Sequence, residues 1–179
     1  TSNRPRPGTS SGGRARTLEA LRRGTSGLAA CSFGGIGFPT FVGEAAGLDR
    51  PLEGAYAGFD CRNNRLAAAA LNEDGFATSV AAARERYGAA RIGVFLGTST
   101  SGLLQSEQAY RRRYPETGRL PADFDYARTH NTYSLARFVR ARLELAGPAF
   151  VVSTACAATA KVFASAARMI AAGICDAVV

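Results

Sequence analysis

The chain reads as an α/β layered domain built round a mainly parallel sheet, and three observations predict this. Short apolar runs rich in β-branched and aromatic residues recur at 91–96, 149–152 and 176–179. Between them lie longer segments with helical periodicity, at 133–145 and 157–172. The turns that separate strand from helix are made of small residues, Gly97 to Gly102 and Ser153-Thr154, as a βαβ crossover requires.

Taken in order, residues 1–16 are rich in Pro, Gly, Ser and Arg and have no face to bury, which predicts a disordered tail. Thr17 is placed to cap a short helix over 18–23 that Gly24 ends. A Gly/Pro-rich loop follows to Pro51. Residues 62–72 form a helix with Leu66, Ala69, Ala70 and Leu71 turned inward, and a second helix runs from 75 or 76 to Tyr87. Residues 91–96 are a buried strand, 105–114 a polar helix and 115–132 a long loop holding Phe124, Tyr126, His130 and Asn131. The amphipathic helix 133–145 points Leu135, Phe138, Val139 and Leu143 inward, and Gly147-Pro148 stops it before the next strand.

At 179 residues the chain can bury one real core, with 46% apolar and 20% charged residues. No apolar run reaches the roughly 18 residues of a spanning helix, and the start has no apolar signal core, so no membrane partner and a cytoplasmic location are expected. Cys31, Cys61, Cys156 and Cys175 show no CxxC spacing, and His130 is the only histidine. A zinc site and a disulfide framework are therefore both disfavoured, and no metal is expected. The net charge of +8 is almost wholly arginine, with Lys161 the only lysine. Without a stacking pattern or binding motif, that charge argues for a solvated surface or an acidic protein partner before nucleic acid.

The chemistry concentrates at Ser153-Thr154-Ala155-Cys156-Ala157-Ala158. A thiol there sits at the first turn of a helix, where free amide N–H groups and the positive helix end favour the thiolate. The same N–H groups suit the oxyanion of a thioester under attack. The competing reading is an inert buried cysteine. Two further readings are weaker. Gly97 to Gly102 fits no Gly-x-Ser-x-Gly register, so a hydrolase elbow fails. His130 as a base for Cys156, oriented by Asn131 or an aspartate, is a minor possibility beside a packed or solvated loop histidine. Lys161, five residues past Cys156, falls about 140° round the helix and off the thiol face. The Thr98-Ser99-Thr100-Ser101 turn and the Ser153 and Thr154 hydroxyls read as structural support.

The Cys156 segment resembles the nucleophile turn of the β-ketoacyl-acyl-carrier-protein synthases. Phe59-Asp60-Cys61-Arg62-Asn63-Asn64-Arg65-Leu66, the stretch from Arg91 to Gly102, Leu145-Ala146-Gly147-Pro148 and the stretch from Ala171 to Val179 follow that family in order and spacing. The wording is closest to synthases of bacterial aryl-polyene and related lipid clusters. The resemblance spans about 18–179 and implies the N-terminal half of a thiolase-like fold, over 17–179, stopping short of the family's domain at both ends. It implies Cys156 as the acyl acceptor, no metal or organic cofactor, an acidic acyl carrier protein docking on a basic surface, and a homodimer or a companion chain supplying the second half. The family's two catalytic histidines lie in that second half, so complete decarboxylative condensation by this chain alone is not expected. Two rivals stay open: a non-catalytic remnant or partner subunit, and another thiolase-fold acyltransferase.

Overall fold

The computed structural model describes residues 13–31 and 36–179, in two compact units, 1–49 and 50–179. The expected tail lies outside the described residues as far as residue 12. Its last part is corrected: helix α1 spans Arg14–Arg23, so it opens three residues before the expected cap at Thr17. Thr17 N–H instead bonds Gly13 O at 3.2 Å, inside the first turn. Arginine is a good helix former, and composition alone hid that local preference. The helix ends as expected at Gly24 (φ 60°), with Thr25 N–H on Ala20 O and Gly24 N–H on Leu21 O. The loop after it contains a small antiparallel ladder, β1 (Ala29–Ala30) with β2 (Phe41–Val42), too short to show a period.

In the second unit three parallel strands form a sheet in the order β4-β3-β5. The central strand β3 (Ile92–Gly97) pairs with β4 (Ala149–Val152) from Val94↔Ala149 to Gly97↔Val152, and with β5 (Ala177–Val178) at Ile92↔Ala177. Parallel neighbours need long crossovers. The first carries α4 (Leu103–Arg111), a π-helical turn at Tyr126–His130 and α5 (Tyr133–Arg142); the second is α6 (Ala158–Ala171). The π-helical turn replaces part of the expected loop: the Asp125 carboxylate accepts from Arg128 N–H at 3.0 Å. Arg91 and Asp176 clamp the starts of β3 and β5 through two bonds of 2.9 and 2.7 Å.

Both faces of β3 are covered, which is why its sequence is a continuous apolar run. The two-residue period sends Ile92, Val94 and Leu96 into a core with Ala136, Phe138, Val139 and Leu143 of the α5 segment. Helices α2 (Arg62–Leu71) and α3 (Phe76–Tyr87) add Leu71 and Val80 to the same core. On the opposite face Phe95 stacks on Phe150 at 4.0 Å, and Gly97 meets the start of α6.

The inward face of α2 is a correction. Leu71 is buried as expected, but Leu66 is 45% exposed and Ala70 is exposed, and Asn64, Ala67 and Ala68 face in instead. Asn64 is fully buried and donates from Nδ2 to Phe59 O (2.8 Å) and Ser134 Oγ (3.1 Å), while Ser134 Oγ donates to Arg128 O. Hydrophobic periodicity could not find this phase because the core position is held by a hydrogen-bonded amide.

Two stability predictions arise here. Just before β4, Gly147 packs so tightly that a Cβ would overlap the Ile92 carbonyl oxygen and lie 2.6 Å from Ile92 C. Gly147→Ala is expected to cost about 3 kcal/mol, since rigid strand backbone must move. A urea-unfolding midpoint unchanged from the parent would refute this. The second concerns Asp60, whose carboxylate accepts from Arg65 at 2.7 and 2.5 Å and from Leu52 N–H at 2.8 Å. The Arg65 bonds hold its carboxyl below the ordinary 3.8, against partial burial. The contribution is therefore complete above pH 3.8 and is lost as pH falls through the lower folded value. Asp60→Asn should lower stability at pH 7 and flatten its acid dependence below pH 3.8; equal acid slopes for both proteins would count against the pair.

Candidate active site

The carboxyl ends of parallel strands gather their loops on one edge of a sheet, and the candidate nucleophile lies there. Strand β4 ends at Val152, a single tight turn spans Ala155–Ala157, and α6 begins at Ala158. Cys156 sits in that turn and is exposed. Ala155, just before it, holds φ at 45°, a left-handed conformation that costs an L-residue about 1 kcal/mol. This is an elbow between strand and helix that points the next side chain away from the packed sheet.

Two neighbours fix the elbow. Thr98 N–H donates to Val152 O at 3.2 Å, joining the turn after β3 to the end of β4. At Gly97 a Cβ would stand 3.1 Å from Ala158 C and 3.2 Å from Thr159 N, so only glycine lets α6 start this close to the strand. The expected role of the turn hydroxyls is partly corrected. Thr154 Oγ1 is buried and has no hydrogen-bond partner; the turn closes instead through its backbone, Ala157 N–H on Thr154 O at 3.1 Å. The hydroxyls after β3 do bond: Thr98 Oγ1 donates to Thr100 O (2.7 Å) and Ser101 Oγ to Thr129 O (3.1 Å).

The other thiols differ in setting. Cys61 is fully buried, and burial pushes its thiol up against the pull of the Asn64 and Asn63 amides. Cys175 is buried beside Gly93, and Cys31 is half-buried in the first unit. His130 is not brought to Cys156 by any described hydrogen bond. Its Nδ1 meets Ser106 Oγ on α4, and its ring packs against Tyr126 at 5.3 Å. It is a packed histidine at the end of the π-helical turn. Lys161 is exposed on α6. Gly97 and Ala155 were missed as site residues from sequence, since neither carries chemistry of its own.

A strand, a strained turn bearing an exposed cysteine, and a long helix are thus joined at the carboxyl edge of a parallel sheet. Residues 64–179 match the model of "Beta-ketoacyl synthase, N-terminal domain". The chain belongs to the β-ketoacyl synthase family. Among solved structures it is similar to the ketosynthase ApeO of Xenorhabdus doucetiae, determined in complex with its chain length factor ApeC. The likeness has a TM-score of 0.65 at 28% identity and covers 83% of this chain and 37% of that one. The synthase domain described here therefore spans well under half the length of that relative, and it shares the thiolase-like α/β fold. No curated protein matches the chain. No helix among the described residues is long and apolar enough to cross a membrane.

Proposed function

We propose that this synthase domain accepts an acyl group on Cys156, as the first half-reaction of a β-ketoacyl-acyl-carrier-protein synthase. The observation that carries the reading is the exposed Cys156 thiol on the left-handed elbow at the start of α6. The Cys156 thiol gives up its proton and attacks the carbonyl of a carrier-borne thioester, the oxyanion is received by the backbone N–H of Cys156, and as the carbon–sulfur bond to the carrier breaks the carrier thiolate leaves and takes up that proton. The acylated cysteine is then the electrophile for the carbanion formed by decarboxylation of a malonyl-carrier. That second step calls on groups of a further domain or companion chain. The ApeO complex with its chain length factor supports the assembly of such a pair, and a homodimer is the alternative assembly. The domain is read as 14–179, with α1 included, and the acyl substrate as the aryl-polyene or fatty-acid type that the sequence resembles. No cofactor enters this scheme. A working thiol must stay reduced, which fits the cytoplasm.

The test is the intact mass of the purified chain after exposure to an acyl-loaded carrier protein. One acyl adduct that maps to Cys156 is expected. No adduct on folded protein would overturn the reading in favour of a non-catalytic partner subunit.

A further inference from the structure

The turn from Gly97 to Gly102 has the nucleophile elbow at one end and the π-helical turn at the other. At the first end Thr98 N–H donates to Val152 O at 3.2 Å, and Gly97 lies against Ala158 and Thr159 at the start of α6. At the far end Ser101 is 3% exposed. Its Oγ donates to Thr129 O at 3.1 Å and accepts from Asn63 Nδ2 at 3.4 Å. Gly102, at φ 52°, grips the same carbonyl: a Cβ there would overlap Thr129 O and stand 2.6 Å from Thr129 C. Between the two ends Thr98 Oγ1 donates to Thr100 O at 2.7 Å and stiffens the span.

The far end rests on a fixed point. The Thr129 hydroxyl donates to Asp125 O at 2.5 Å within the π-helical turn, and the preceding carbonyl, Arg128 O, accepts from Ser134 Oγ on α5. Ser134 is bonded in turn to Asn64 of α2 at 3.1 Å, and both are 0% exposed. The π-helical turn is therefore rooted in two helices of the core. Alanine at 101 would leave the Thr129 carbonyl and the Asn63 amide without the Ser101 hydroxyl, at a buried place where water does not readily replace it. The span could then shift Thr98 and Gly97, and with them the end of β4 and the first turn of α6. Cys156 sits between those two segments.

We propose that Ser101 is a positioning residue for the acyl-accepting thiol. Through the turn after β3 it fixes the elbow, so that the Cys156 thiol and backbone N–H meet one thioester carbonyl together. The proposal rests on the acyl-accepting reading of Cys156. It separates two reactions of the same sulfur. Acylation develops an oxyanion and needs thiol and N–H in register. Alkylation by iodoacetamide forms a sulfur–carbon bond as iodide leaves a saturated carbon; no oxyanion arises, and an accessible thiolate is enough.

The full chain is compared with Ser101→Ala and with Ser99→Ala, which removes an exposed hydroxyl from the same turn. Amide hydrogen exchange, followed by NMR, reads the elbow directly. The reference is Val94 N–H, which bonds Pro148 O at 2.8 Å. Relative to it, the Thr98 and Ala157 N–H groups should exchange about tenfold faster in Ser101→Ala. A general loss of stability would speed the core amide at least as much. At saturating octanoyl N-acetylcysteamine thioester, acylation of Cys156 should slow about tenfold in Ser101→Ala, with the half-saturating concentration unchanged. Alkylation of Cys156 by iodoacetamide should stay within about twofold of the parent. Ser99→Ala should match the parent within about twofold in all three measurements. Parental exchange or a parental acylation rate in Ser101→Ala would overturn the proposal. So would equal losses of acylation and alkylation, or the same losses in Ser99→Ala. If the thioester acylates not even the parent, the reading of Cys156 has failed, while the exchange ratio still decides whether Ser101 holds the elbow.

Discussion

Replacing Cys156 with alanine is expected to remove the acyl adduct altogether while changing stability by less than about 0.5 kcal/mol. The two halves of that expectation have one cause. Cys156 is exposed, so its sulfur contributes little packing, and the side chain that takes its place loses nothing buried. The elbow that presents it is built from backbone, through Ala155 at φ 45° and the bond from Ala157 N–H to Thr154 O, and alanine leaves both in place. No other thiol offers the same access. Cys61 and Cys175 are 0% and 1% exposed, and burial holds the Cys61 thiol up, toward the unreactive form. Cys31, half-buried, is the one competitor by exposure, and it belongs to the other unit. Intact mass and a urea titration of both proteins check the two halves together. Persistence of the adduct in Cys156→Ala would move the nucleophile elsewhere; a loss of several kcal/mol would make Cys156 a structural residue.

The acyl-acceptor candidate was legible in the sequence because its signal is local. An apolar β-branched run, two small polar residues, a cysteine and an alanine-rich helix define strand, elbow and helix within about twenty residues, and β4, Ala155–Ala157 and α6 follow that order. Central strand β3 was legible for the same reason, being buried on both faces. Phase and fine geometry were not. The inward face of α2 turns on Asn64, a polar residue whose burial depends on Ser134, seventy positions away. The π-helical turn depends on Asp125 capping Arg128 N–H and on Ser134 reaching Arg128 O, contacts that no periodicity encodes. The ladder of β1 and β2 is two residues long on each side, below the length at which alternation can be read. Gly97 and Gly147 read as turn residues in the sequence. Their tighter constraint comes from backbone on other segments, Ala158 and Ile92, and appears only when those segments are assembled.

Gly97→Ala is expected to slow acylation of Cys156 by about tenfold or more, at a stability cost of only about 1–2 kcal/mol. The added methyl would meet Ala158 C at 3.1 Å, Ala158 Cβ at 3.2 Å and Thr159 N at 3.2 Å, so the first turn of α6 must retreat by a few tenths of an ångström. That turn follows Cys156 directly, so its retreat moves the Cys156 thiol and backbone N–H that the elbow presents. A small retreat leaves the hydrophobic core of α2, α3 and α5 intact, because Gly97 lies on the opposite face of β3 from Ile92, Val94 and Leu96. It does change the alignment of thiol and donors, to which rate is far more sensitive than stability. Gly27→Ala is the matched control, since a Cβ there meets nothing within 4 Å. The measurement is the rate of adduct formation with a small octanoyl thioester, which needs no carrier docking. A parental rate in Gly97→Ala would mean that α6 is free to adjust without disturbing the elbow, and the close contact of strand and nucleophile helix would be packing alone.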